Sequence, residues 1–159
     1  MKTWFTADTH FGHENIIKYC DRPFKSLHRM NQVLTKNWNS RIKPDDLVIF
    51  LGDFCFRGKS KAEKYLSKLN GHITFVKGNH DSNNSLNTKI LSLIIILGNQ
   101  TFYCVHDPAN ANLKFKYNLV GHVHQNWKIQ KRKNTMLINV GVDVWKYAPV
   151  SISEILALL

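Results

Sequence analysis

The sequence predicts an α/β fold on three observations. Short apolar runs recur along the chain, and each ends in a polar turn that often contains glycine. Segments with helical spacing of apolar residues separate the early runs, which is the alternation typical of βαβ units. The later half carries mainly strand-like runs. The chain has 159 residues, of which 43% are hydrophobic, so we predict a single domain over residues 1–159.

The predicted strands are short, as buried strands usually are. In the first half they cover residues 4–7, 47–51 and 73–76. In the second half they cover residues 90–97, 100–105, 118–120, 127–130 and 136–140. Gly98-Asn99 and Lys133-Asn134 fall between neighbouring strands and indicate two hairpins.

Two amphipathic segments predict helices. Residues 26–42 and residues 60–69 each place their apolar side chains on one helical face. These apolar positions are Leu27, Met30, Val33, Leu34, Trp38, Ile42, Ala62, Tyr65, Leu66 and Leu69. A short apolar helix is predicted at residues 153–159, and because no linker precedes it, we expect no second domain.

The charge of the chain is strongly unbalanced. There are 22 Lys and Arg residues against 11 Asp and Glu residues, which gives a net charge of +11. Such an excess indicates an anionic partner, with solubility alone as the alternative. The longest apolar run, residues 91–97, contains Ser92 and is too short to span a bilayer. We therefore expect a nucleotide or nucleic acid as partner, and no membrane.

Cysteine usage and the N-terminal residues indicate a reducing compartment. Cys20, Cys55 and Cys104 are odd in number and widely spaced, so we predict buried thiols and no disulfide framework. Polar motif residues begin at Asp8, so we expect no signal peptide. The sequence thus predicts a cytoplasmic location, and it gives no sign of an obligate protein partner.

Residues that bind metals or transfer protons follow the predicted strands. They are Asp8, His10, Asp53, Asn79, His80, His106, His122 and His124. Because the carboxyl ends of strands meet at one edge of an α/β sheet, we expect these side chains to converge there. A single histidine of this kind is most often a hydrogen-bonded structural residue. Five of the 8 histidines belong to the series, however, which favours a functional site.

The residue types suit a pair of transition-metal ions. Asp8 and His10, like His122 and His124, are two residues apart and can face the same side of an extended segment. Asp53 offers a carboxylate that can bridge two cations. Nitrogen and oxygen ligands without sulfur suit Mn²⁺, Fe, Zn²⁺ or Ni²⁺, whereas structural zinc sites are closed and rich in cysteine. Two ions about 3.5–4 Å apart can hold a bridging hydroxide for an in-line attack on phosphorus.

The ordered motifs resemble those of a known superfamily. They are Asp8-x-His10, Gly52-Asp53, Gly78-Asn79-His80-Asp81, His106 and Gly121-His122-x-His124. This series is similar to the calcineurin-like metallophosphoesterases. The segments TADTHFGH (6–13), RPF (22–24) and NVGVDVW (139–145) resemble a small bacterial and phage branch of phosphoesterases. The resemblance implies a four-layer α/β/β/α sandwich of two mixed β-sheets, the metallo-dependent phosphatase fold.

The resemblance also implies roles for individual residues. The first metal would be held by Asp8, His10, Asp53 and His124. The second would be held by Asp53, Asn79, His106 and His122, with Asp53 as the bridge. His80 would stabilise or protonate the leaving oxygen, and Asp81 would orient His80. The sequence departs from the common pattern at the apolar residues 54–56 and at Asp107-Pro108, which leaves the shape of the substrate pocket open.

Several further residues have two interpretations each. His13 either contacts a phosphate oxygen or faces solvent. Arg22 either clamps a phosphate or forms a surface salt bridge that fixes the turn before Pro23. Asp143 is a candidate acceptor behind the metal ligands. The basic hairpin residues either bind a ligand or protect a sheet edge, and they are Lys128, Lys131, Arg132 and Lys133.

We therefore predict a binuclear-metal-dependent phosphoester hydrolase. We expect a phosphodiesterase acting on a nucleotide or small nucleic-acid substrate, with two divalent ions per chain and manganese as the first candidate. The segment between His106 and Gly121 is too short to hold an inserted cap, and an open groove admits groups on both sides of phosphorus. The alternatives are a phosphomonoesterase and a non-catalytic module that binds nucleic acid or protein.

Overall fold

The computed structural model describes residues 1–56, 61–81 and 86–159. In chain order its elements are β1 (Thr3–Thr6), α1 (Asn15–Tyr19), α2 (Leu27–Arg41), β2 (Leu47–Leu51), α3 (Lys61–Leu66), β3 (His72–Val76), β4 (Ser92–Leu97), β5 (Gln100–Val105), β6 (Tyr117–Val120), β7 (Ile129–Arg132), β8 (Thr135–Asn139), β9 (Val150–Ser151) and α4 (Ile152–Leu156). Short 3₁₀ turns, Pro108–Asn110 and Val142–Val144, follow β5 and β8.

The strands form two mixed sheets. The first has the order β3-β2-β1-β9, in which β1, β2 and β3 are parallel and β9 is antiparallel to β1. The second has the order β4-β5-β6-β8-β7, in which β5, β6 and β8 are parallel and β4 and β7 are antiparallel edges. The predicted α/β fold with two mixed sheets is confirmed, as are both hairpins.

The central strands of the first sheet separate two cores, because successive side chains of a strand point to opposite faces. Phe5 and Ile49 pack in the core between the two sheets. Their neighbours Trp4 and Phe50 pack on the other face, against the buried sides of α1, α2 and α3. The short α4 contacts β1 and β9 and buries Ile155 in the core between the sheets.

Two of the helices, α2 and α4, begin at polar residues that cap them. The Ser26 hydroxyl accepts the N–H of Arg29 at the start of α2, and Ser151 and Glu154 form a capping box at the start of α4. Both helices match predicted segments. The second predicted helix is found as α3, but its predicted first residue, Ser60, lies outside the described residues.

The sequence missed the shortest elements. Five-residue α1 and two-residue β9 are too short to show a periodic pattern, and β7 begins two residues later than the predicted strand at residue 127. The three cysteines are buried free thiols, as predicted. No described helix has both the length and the apolar character needed to cross a bilayer.

Candidate metal centre

Loops that follow five parallel strands bring the predicted ligands together at one edge of the two sheets. The ligand atoms form two groups, each within 4.8 Å of one another: Asp8, His10 and His124 in the first group, and Asp53, His106 and His122 in the second group. Asn79 joins the second group, because its side-chain oxygen lies 2.9 Å from His106 Nε2 and 3.0 Å from His122 Nδ1. The predicted convergence is therefore present in the structure.

The backbone is strained at five of these positions. Asp8, His10, Asp53, His122 and His124 have φ angles of 58°, 49°, 60°, 71° and 47°. Residues other than glycine rarely adopt this left-handed conformation, although Asp and His tolerate it better than most. Such strain costs about 1–3 kcal/mol per residue and clusters at functional sites. The folded structure therefore holds these side chains in place against a local cost.

Two glycines allow the ligand loops to approach each other closely. Gly52 has a φ of +90°, and a Cβ there would collide with the His106 imidazole and with the backbone of Gly78. A Cβ on Gly78 would in turn collide with the Asp53 carboxylate. Any larger residue at either position would displace a predicted ligand.

Asp53 lies between the two groups. Its Oδ1 accepts the N–H of His80 at 2.8 Å, which directs Oδ2 toward the histidines. Oδ2 lies 3.6 Å from His10 Nε2 in the first group and 3.4 Å from His106 Nε2 in the second group. This is the arrangement that a carboxylate shared by two cations requires.

Hydrogen bonds select the ring nitrogen that His106 and His124 direct at the site. His106 Nδ1 lies 2.6 Å from the carbonyl oxygen of Leu51, and because a carbonyl only accepts, Nδ1 carries the proton. His124 Nδ1 lies 3.0 Å from Asp143 Oδ2, as predicted for an acceptor behind the ligands. When either ring is neutral, its Nε2 keeps the lone pair that a metal ligand needs.

Two buried atoms of the first group have no hydrogen-bond partner among the described residues. They are Asp8 Oδ1 and His10 Nε2, in residues that are 0% and 1% exposed. A buried polar atom without a partner costs about 1–3 kcal/mol, so such atoms are rare. A divalent cation would satisfy both atoms at once. The residues therefore fit a metal ion.

The charges of the site depend strongly on one another. Burial lowers the pKa of His124, but its hydrogen bond with Asp143 and the nearby Asp8 raise it to about 10. Burial also lowers the pKa of His106, but the Asp53 and Asp8 carboxylates raise it to about 9. Burial raises the pKa of Asp8 to about 6, against the opposing effect of the two histidines. Without metal, two protonated imidazoles thus balance the carboxylates.

Arg22 is buried behind the first group, whereas both of its predicted roles, a phosphate clamp and a surface salt bridge, require an exposed side chain. The residue is 4% exposed, and its Nε and Nη2 donate to the two Asp143 oxygens at 2.8 and 2.9 Å. Nη1 and Nη2 also donate to the carbonyl oxygens of Thr9 and Asp8. The salt bridge was the correct alternative, but it is internal. A phosphate clamp is wrong because the protein itself already uses these donors.

His80 and Asp81 occupy different surroundings. The His80 side chain is 51% exposed, and its Nε2 lies 4.0 Å from Asp53 Oδ2. The buried Asp81 carboxylate accepts the backbone N–H groups of Asp53, Phe54 and Gly78 at 2.8, 3.1 and 2.8 Å. These bonds tie the loop after β2 to the loop after β3. The predicted contact of Asp81 with the His80 ring is not among them, and that orienting role stays a prediction.

His13 lies at the rim of the site within a group of rings. Its ring centroid is 5.5 Å from that of His10, it stacks on Phe56 at 4.6 Å, and Tyr19 meets it edge-on at 6.2 Å. Burial lowers the pKa of His13. We call His13, Tyr19 and Phe56 the aromatic cluster. A contact between His13 and phosphate stays a prediction.

The basic hairpin forms an edge of the second sheet. Arg132 on β7 donates to the carbonyl oxygen of Pro108 at 2.7 Å, and Lys128 Nζ lies 3.5 Å from the centroid of the Trp145 ring. Lys131 and Lys133 are exposed. Because β7 is an edge strand, these residues are placed to protect the edge by charge, and ligand binding by them stays a prediction.

Asn139 is a positioning residue that the sequence did not single out. It is fully buried, and its amide donates to the carbonyl oxygens of His124 and Trp127 at 2.8 and 2.9 Å. Its Oδ1 accepts the N–H of Gly141 at 2.8 Å. Asn139 thus fixes the turn that carries His124 against the end of β8. The sequence signal for this role is an asparagine that ends a predicted strand and stands two residues before a glycine.

Known proteins match nearly the whole chain. Residues 1–148 match the model of the calcineurin-like phosphoesterase superfamily domain. The chain is 40% identical over 169 residues to the uncharacterized protein MJ1445 of Methanocaldococcus jannaschii, covering 99% of this chain and 91% of that protein. The protein of unknown function AQ665 from Aquifex aeolicus has a TM-score of 0.75 and 26% identity, covering 99% of both chains. Vps29 of Entamoeba histolytica, complexed with Zn²⁺, shares the fold with a TM-score of 0.51 and 17% identity, covering 89% of this chain and 74% of that one.

Proposed function

Because this chain belongs to the calcineurin-like phosphoesterase superfamily, we propose that it is a binuclear-metal-dependent phosphodiesterase acting on a nucleotide or small nucleic-acid substrate. The family is metal-dependent, and the chain holds two groups of candidate ligands. The observation that carries the proposal is the position of Asp53 Oδ2, 3.6 Å from His10 Nε2 and 3.4 Å from His106 Nε2. One carboxylate oxygen is thus available to both groups.

We assign the ligands as follows: Asp8, His10, Asp53 and His124 to the first ion, and Asp53, Asn79, His106 and His122 to the second. Manganese is the ion we expect, with iron, zinc or nickel as alternatives, because the donors are nitrogen and oxygen without sulfur. When bound, two such ions would activate water as the nucleophile and neutralise charge on the phosphate.

We assign the proton on the leaving oxygen to His80. Its half-exposed ring is open to substrate, and its backbone N–H is held by Asp53 Oδ1 at 2.8 Å. Asp81 keeps the loops after β2 and β3 together, and so fixes where His80 stands relative to Asp53. A general acid in this position would contribute about 10²–10⁴-fold to turnover.

A cavity on one side of the centre and aromatic rings on the other favour a diester. A cavity of about 570 Å³ borders Asn79 and His106 and is also lined by Lys77 and Tyr103. The aromatic cluster lies beside His10 at the other side of the site. A diester carries a group on each side of phosphorus and can use both. A monoester needs extra positive donors around its phosphate, and Arg22, the candidate donor, is buried in an ion pair.

The experiment compares kcat/KM for a bis-aryl phosphate and its mono-aryl counterpart with Mn²⁺ present, followed by nucleotide diesters. We expect the diesters to be cleaved better. A preference for the monoester would favour the phosphatase alternative. Failure to hydrolyse either substrate, in protein that holds two ions per chain, would favour the non-catalytic binding module.

A further inference from the structure

A groove between α2 and α3 begins at the loop that carries His10. The groove has a volume of about 820 Å³. Two of its lining residues touch that loop: the Asn31 side-chain oxygen accepts the N–H of Gly12 at 3.2 Å, and the Tyr65 ring stacks on Phe11 at 4.8 Å. Phe11 and Gly12 directly follow His10, so one end of the groove lies beside the loop that carries this candidate ligand.

Several basic side chains line the groove. Its basic lining residues are His28, Arg29, Lys36, Lys64 and Lys68, and all five are exposed. Among the described residues that line it, none is acidic. Arg29 and Lys36 are separated by two turns of α2, about 10 Å, while Lys64 lies on α3 and Lys68 lies in the turn that follows it. A row of like charges repels itself, and a polyanion lying along it relieves that repulsion.

We propose that this groove binds the sugar-phosphate backbone of single-stranded nucleic acid and leads it to the metal centre for cleavage. The proposal rests on the proposed phosphodiesterase function and names its substrate class. Cations spaced along a groove contact successive phosphates, whereas a mononucleotide would use only one or two of them.

The aromatic cluster favours a single strand over a duplex. Tyr19 is 70% exposed and Phe56 is 37% exposed, and both adjoin His13 at the rim of the centre. Proteins that bind single strands combine a positive groove with aromatic rings on which unpaired bases stack. In a duplex the bases are paired and stacked on each other, and these rings would have no base to contact.

The test separates the groove from the metal centre. The groove variant is Lys36→Gln, Lys64→Gln and Lys68→Gln combined, and the control variant is Lys114→Gln, Lys116→Gln and Lys131→Gln combined, three exposed lysines on other surfaces. Binding of a fluorescein-labelled single-stranded oligonucleotide of mixed sequence is measured by anisotropy in EDTA, over a range of salt concentrations. Hydrolysis of a bis-aryl phosphate with Mn²⁺ reports on the metal centre, because this substrate is too small to reach along the groove.

We expect the groove variant to bind the oligonucleotide about tenfold or more weakly than the wild type, and the control variant to bind as the wild type does. The slope of log K against log salt should decrease in magnitude by about 2 in the groove variant, since each lost phosphate contact of a single strand contributes about 0.7. Tyr19→Ala should weaken binding of the single strand and leave the salt slope unchanged, because stacking releases no counterions.

Equal affinities and equal slopes in the groove and control variants would overturn the proposal. So would tighter binding of a duplex of the same length, or equal binding of polyglutamate, since either would show that the groove does not select single strands. If the wild type fails to hydrolyse the bis-aryl phosphate, the proposed function is wrong, while the anisotropy measurement still decides whether the groove binds nucleic acid.

Discussion

The first and second groups of candidate ligands share Asp53 but differ in what surrounds them. In the first group, Asp8 and His10 are almost completely buried, and His124 is held by the internal Arg22–Asp143 ion pair. In the second group, the outer ligand Asn79 is exposed. The second group thus has an open side at Asn79, although its His106 is as buried as the ligands of the first group. We expect the first group to retain its ion and the second to exchange its ion and face substrate.

The largest effect is expected where the two groups join. Asp53→Ala should reduce metal content from two ions to near zero and remove phosphodiesterase activity, because both groups lose the shared oxygen. Elemental analysis beside kcat on the same sample measures this, with Asp45→Ala, an exposed carboxylate, as the control. Retention of one tightly bound ion would mean that Asp53 belongs to one group alone.

His80→Ala should leave both groups intact and still slow the reaction. We expect kcat to fall by about 10²–10⁴-fold with two ions retained, since His80 is assigned to the leaving oxygen and not to a metal. His72→Ala, an exposed histidine on β3, is the matched control. Activity within a factor of about three of the wild type would remove His80 from the mechanism.

Asp143→Asn should weaken the first group alone. Substitution of the residue that accepts the hydrogen bond of a ligating histidine typically costs about 10–100-fold in metal affinity, and here the charged carboxylate becomes a neutral amide. His122→Ala should empty the second group. A chelator-competition titration that compares His122→Ala with the double variant His122→Ala, Asp143→Asn therefore measures the effect on the affinity for the first ion alone. Circular dichroism of both metal-free proteins checks the fold, because Arg22 loses its counter-charge. An unchanged affinity would show that the buried ion pair does not support the first group.

The smallest effect is the release of protons on metal binding, and we expect both groups to release them. Each contains one histidine with a raised pKa, about 10 for His124 and about 9 for His106. Both rings are therefore protonated at pH 7 without metal, and each must lose its proton to bind an ion. Calorimetry in buffers of different ionisation enthalpy should find about two protons released per chain at pH 7. The release should diminish as pH rises through 9 to 10, and metal affinity should fall as pH falls. Release of no protons would contradict the assignment of both rings as ligands.

The sequence by itself determined which residues meet at the candidate centre. An Asp, Asn or His that follows a strand-like run marks the end of that strand, and in a parallel sheet these strand ends lie at one edge. That local logic was sufficient for Asp8, Asp53 and His106 to be found where they were expected. It also predicted the two hairpins, because the turn chemistry of Gly98-Asn99 is local.

The tertiary structure alone decided how the surrounding residues are used. Arg22 and Asp143 are 121 positions apart, and nothing in either segment indicates that they form an internal pair behind His124. The basic groove likewise exists only because α2 and α3 pack side by side on the first sheet, which places Lys36 near Lys68. Periodicity fixes which face of an element is buried, but it does not fix which distant element covers that face. Contacts between elements depend on packing, and packing is a property of the whole chain.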